Sequence, residues 1–160
     1  MKQEFQPQFA HTWRVFERLV NDFDDEAWIR AGRRAIRPAR LSFHILKSTK
    51  YYIEDSSDLF FPSGKPFAAD WEKAPEGGLP SRKDILDGIK LFHAKTEKWL
   101  SELDYSAKNT AFPWAGETHL GVVIFLLRHS LYHLGELSSL LNESKHGDAE
   151  DHYVKAQEGH

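Results

Sequence analysis

The chain has 160 residues, 41% hydrophobic and 28% charged, with a formal net charge of −3; this suits one globular domain with a sizeable core. The acidic balance argues against a nucleic-acid surface, which needs a concentrated basic patch. There is no cysteine, which excludes disulfides, cysteine-based zinc sites and a cysteine nucleophile, so any metal site must be built from histidine and carboxylate.

The first residues, Met1 to Pro7, lack the apolar core of a signal peptide. No apolar run approaches the roughly 20 residues of a membrane span, so the expectation is a cytoplasmic protein without membrane contact. Phe9, Trp13, Phe16 and Val20 recur at helical spacing and predict a first helix over residues 8–21. Asp24, Asp25 and Glu26 before Ala27 and Trp28 read as the acidic first turn of a short second helix. The basic cluster Arg30, Arg33, Arg34, Arg37 and Arg40 follows those acids; a solvated face is the favoured reading, an anion site the other.

Pro38 suits the first turn of a long helix, predicted to about residue 59 through Leu41, Ile45, Tyr52 and Leu59, with Phe43 and Leu46 widening the face. Residues 60–80, rich in Pro and Gly, read as a long connection, of the kind that is often functional. Ser81 with Asp84 three residues on is close to a capping box. It opens a helix carried by Ile85, Ile89, Phe92, Thr96, Trp99 and Leu103. After a second connection with Phe112-Pro113-Trp114, Thr118 is placed to cap the last long helix. Its expected core stripe is Leu120, Ile124, Leu127, Leu131, Leu134 and Leu141. Four long helices and no strand-period segment predict an all-α four-helix bundle over residues 1–142. Residues 143–160 are expected to form a polar tail, frayed or disordered, whose histidines His146, His152 and His160 nothing would fix.

The chemistry-bearing feature is His129-Ser130-Leu131-Tyr132-His133. Residues four apart share one helix face about 6 Å apart along the axis, a workable spacing for two imidazoles on one metal ion. Alone, the pair is better explained by core or surface histidines. His44, on the flank of a buried face of another helix, is the best third ligand. His93 is second; His11 and His119 lie near helix starts. Three histidines on two helices would leave coordination positions open, as in a catalytic site, and imidazole does not choose among zinc, nickel, iron and copper. Glu136 either orients a ligand histidine or is solvated; Tyr132 and Trp71 are pocket candidates. No His-Glu-x-x-His motif, phosphate-binding loop or nucleophile elbow is present. A non-catalytic interaction bundle with structural or vestigial histidines is the competing reading, and pH sensing through clustered histidines a third.

The run from His129 through His133 to the following Leu-Gly-Glu-Leu resembles the last-helix motif of the DinB/YfiT-like metalloenzyme superfamily. Phe112-Pro113-Trp114-Ala115-Gly116 is similar to the loop leading into that helix, Leu41-Ser42-Phe43-His44 to the second long helix, and Leu79 to Leu86 to the start of the third. The resemblance implies an up-up-down-down bundle holding a divalent metal, such as zinc, nickel or iron, on His44, His129 and His133. It also implies a homodimer and a metal-dependent enzyme, relatives of known activity being transferases and isomerases that use a low-molecular-weight thiol; a metal that activates water instead would make a hydrolase. No residue here marks a thiol site.

Overall fold

The structure is a computed structural model that describes residues 1–56 and 78–157. Its long helices are α1 (Lys2–Asp22), α3 (Pro38–Glu54), α4 (Arg82–Glu102) and α5 (His119–Ser144), with two short ones, α2 (Asp25–Ile29) and α6 (His152–Lys155). No strand occurs among the described residues. No helix there is long and apolar enough to cross a membrane.

The local signals account for most of the helix boundaries. Asp24 caps α2 by accepting the Ala27 N–H at 2.7 Å. Pro38 opens α3, where its missing N–H costs nothing. Ser81 and Asp84 form a complete capping box at α4. Thr118 precedes α5 but makes no side-chain cap bond. α1 begins earlier than the periodicity predicts and carries Pro7 inside its second turn. α3 ends at Glu54, earlier than predicted, with Asp55 in the left-handed conformation. The expected core position Leu59 and most of the 60–80 connection lie outside the described residues.

Around the bundle, α1 packs on α4, α4 on α3, α3 on α5, and α5 on α1. The side-chain contacts fix the directions. Phe5 stacks on Tyr105, Trp13 on His93, and Arg82 reaches Asn21 and Asp25, so α1 and α4 are antiparallel. Asp22 pairs with Lys145 at the ends of α1 and α5, which are parallel. His44 meets His129 and His133 while Tyr52 meets Phe125, so α3 and α5 are antiparallel. The order is therefore up-down-down-up, which corrects the expected up-up-down-down arrangement. The chain reverses after α1 through α2 and a 3₁₀ turn at Arg33–Ala35, and after α4 through residues 103–118. The connection from α3 to α4 joins opposite ends of the bundle.

The core is aromatic and leucine-rich: Phe16, Phe23, Phe43, Phe92, Leu46, Leu100 and Leu126 are at most 2% exposed. The predicted stripes of α1 and α4 are largely the buried ones, but that of α5 is rotated. Val122, Val123, Leu126, Ser130, Leu134, Leu137, Leu140 and Leu141 face inward, while Ile124 is half exposed. α5 is apolar on more than one side, so periodicity did not single out its buried face.

The C-terminal segment also departs from expectation. It is docked, not frayed, along its described length. His152 is buried and its Nε2 lies 2.7 Å from Asp22 Oδ2. Asp151 caps α6, Arg14 donates to the Ala156 carbonyl at 3.2 Å, and Ala156 enters the core. A lone polar pairing separated by most of the chain leaves no trace in hydrophobic periodicity.

Candidate metal centre

His129 and His133 project from α5 one turn apart, beside its buried face of Leu126, Ser130, Leu134 and Leu137. His44 projects from α3 between the buried Phe43 and Ile45. Because α3 and α5 run antiparallel in contact, the three rings converge. His133 Nε2 lies 3.1 Å from His44 Nε2 and 3.1 Å from His129 Nε2, and all three residues offer a nitrogen within 4.8 Å of the others. This is the one group of three or more potential ligands among the described residues.

The proton inventory of the cluster is informative. His133 Nδ1 lies 3.0 Å from Glu136 Oε1. A carboxylate only accepts, so Nδ1 carries a proton, and in the neutral ring Nε2 presents its lone pair to the other two rings. One in-plane lone pair takes one well-aligned donor, yet two ring nitrogens approach it equally closely. Hydrogen bonding inside the cluster thus leaves one contact uncompensated, whereas a cation at the centre would be met by three lone pairs. Burial, helped by the neighbouring imidazoles and for His44 also by Lys47, pushes His44 down to about 4 from the ordinary 6.5. Burial and His133 push His129 down to about 4 as well. Both rings are therefore neutral at physiological pH, the state in which imidazole can coordinate. Tetrahedral ligands at about 2.0–2.1 Å from zinc sit roughly 3.3 Å apart, so the observed spacing fits a transition-metal ion with small adjustments.

The surroundings differ from ring to ring. The Phe125 ring stacks on His129 at 5.9 Å and 16°, and the Arg128 guanidinium lies over the Phe125 ring at 5.2 Å from its centroid. His129 Nδ1 is buried without a hydrogen-bond partner, so ring stacking and helix packing orient it. Tyr132 is 62% exposed and sets its ring edge against His133, bordering the cluster from the surface. Trp71 lies outside the described residues. Phe125 and Lys47 were not singled out from sequence, although spacing places them one turn from His129 and His44 on the same faces.

The other histidines are elsewhere. His93 stacks on Trp13 and faces Glu97. His11 bonds the Tyr153 carbonyl, His119 the Asp104 carbonyl, and His152 joins Asp22. His146 is exposed, and His160 is outside the described residues. No curated protein and no solved structure matches the chain significantly. The chain does match the DinB superfamily over residues 8–137, a span that contains His44, His129, His133 and Glu136.

Proposed function

The chain belongs to the DinB superfamily, and on that premise we propose that it is a divalent-metal-dependent enzyme acting on a small molecule. The observation that carries this reading is the convergence of His44 Nε2 and His129 Nε2, each at 3.1 Å, on His133 Nε2. In this reading His44, His129 and His133 are the ligands. Glu136 holds the His133 proton on Nδ1, fixing the ring's tautomer and raising its donor strength. Phe125 and the helix backbone hold His129 in line, and Tyr132 borders the substrate's approach.

A divalent ion on three histidines supplies Lewis-acid chemistry, lowering the pKa of a coordinated water or thiol toward neutrality. Two reaction classes follow, hydrolysis and transfer to a low-molecular-weight thiol. The second fits the cytoplasm, where such thiols are kept reduced. A homodimer belongs to the same reading, and light scattering of the purified protein checks it.

Elemental analysis of untagged protein tests the proposal, with one zinc, nickel or iron per chain expected. His129→Ala should abolish binding and His93→Ala should leave it intact. Less than roughly a tenth of an ion per chain, with no tight rebinding after chelation, would overturn it in favour of a non-catalytic bundle with vestigial histidines. To separate the two reaction classes, cobalt-loaded protein is titrated with dithiothreitol. A sulfur-to-cobalt charge-transfer band supports thiol chemistry, and its absence supports hydrolysis.

A further inference from the structure

The aromatic side chains beside the metal centre form a continuous wall that leads to the surface. Beyond His129 and Phe125, the Phe125 ring meets Tyr52 at 5.1 Å, Tyr52 meets Phe112 at 4.9 Å, and Phe112 meets Trp114 at 5.9 Å. Tyr51 closes edge-on against Phe112. Phe112 is buried while Trp114 is 55% exposed.

That exposed indole is also held still. Its N–H donates to the Tyr52 hydroxyl at 2.9 Å. The turn that carries it, Pro113–Ala115, is clamped by the buried Asn109, whose amide nitrogen donates to the Phe112 and Gly116 carbonyls and whose oxygen accepts the Phe112 N–H. Gly116 takes φ 120°, and a Cβ on Gly121 would lie 2.5 Å from the Ala115 carbonyl oxygen, so the turn sits directly on the first turn of α5. Ordering an aromatic platform in advance removes an entropy cost that a ligand would otherwise meet on binding.

We propose that Tyr51, Tyr52, Phe112, Trp114 and Phe125 form the specificity surface of the metal centre, selecting substrates with a flat aromatic body attached to the metal-seeking group. Phe125 and Tyr52 pack the end of the wall next to the histidines, and Trp114 offers the open stacking face at its rim. This inference rests on the metal reading, and its test separates the two.

Zinc-loaded protein is titrated calorimetrically with acetohydroxamate and with 4-phenylbenzohydroxamate, which share a chelating head and differ in the body. The aromatic probe should bind at least about tenfold tighter, and Trp114→Ala should remove at least about fivefold of that while leaving acetohydroxamate unchanged. Tyr52→Phe, which keeps both rings and frees the indole N–H, should lower the aromatic preference in the same direction if Trp114→Ala does not fold. Equal binding of both probes, or a folded Trp114→Ala protein that keeps the full preference, overturns the specificity surface alone. Protein that takes up no zinc overturns the metal reading and the specificity surface with it, whereas zinc-loaded protein that binds neither probe overturns the specificity surface alone.

Discussion

Glu136 is the residue on which the proton inventory turns. Its Oε1 lies 3.0 Å from His133 Nδ1 on the next turn of the same helix, so a helix that positions the ligand also positions its orienter. Glutamine in its place has an oxygen of the same reach but no charge, so the acceptor weakens and His133 becomes a poorer donor. Glu136→Gln should lower zinc affinity about 10- to 100-fold, measured by competition with a chelating dye, with little change in the melting temperature of metal-free protein. An unchanged affinity would show that Glu136 is only a surface carboxylate near the cluster. That His129 and His133 share one face was legible from spacing, because helix geometry is nearly rigid over four residues; that the face is a site was not, until His44 joined it. His44 was legible as a flank residue, but its meeting with the pair depends on α3 and α5 being neighbours, which no single-helix pattern encodes. The stacking of Phe125 on His129 follows the same i, i+4 rule, but an aromatic on an apolar helix is ordinarily core, so the sequence does not mark it as a neighbour of the site.

At the scale of elements, helix existence was written in caps and periodicity, whereas helix direction was not. The links after α1 and α4 are each long enough to return the chain to either end of the bundle; pairings such as Phe5–Tyr105 and Asp22–Lys145 decide which end is used. The C-terminal segment is the clearest case. Apart from Ala156 it brings little apolar surface to the core, and Asp22 holds it through His152 and Lys145. Burial raises the Asp22 carboxyl, but the hydrogen bonds and charges of Lys145 and His152 outweigh it and leave the group below its ordinary value of 3.8. A depressed carboxylate stabilises the folded state above the unfolded value, and that contribution is lost as pH falls through the lower folded value. Asp22→Asn should therefore release α6 at neutral pH. Hydrogen exchange should report lost protection over residues 152–156, with a global cost of roughly 1 kcal/mol. Acid should do the same to the parent protein only below about pH 4. Protection that survives the substitution would assign the docking to Ala156 and the Arg14 contact instead.

For the whole molecule, the histidine cluster sets a stability that depends on both metal and proton. The three imidazoles come from α3 and α5, so an ion that binds them ties together two elements far apart in sequence. A ligand at a hundred times its dissociation constant stabilises the folded state by about 2.7 kcal/mol, which for a chain of this size raises the melting temperature by roughly 5–10 °C. Zinc should produce that rise in the parent protein and none in His129→Ala. Without metal, the cluster should be a liability in mild acid. His44 and His129 stay neutral in the fold down to about 4, whereas in the unfolded chain they take up protons near the ordinary 6.5. Between those limits the unfolded state binds more protons, so metal-free stability should fall as pH drops from 6.5 to 4 and lose this dependence below. His44→Leu, which cannot accept a proton, should make that slope shallower in thermal melts of chelated protein, whatever it does to absolute stability. A slope unchanged by the substitution would mean that His44 already takes up a proton near its ordinary value, and that its burial between α3 and α5 does not keep it neutral.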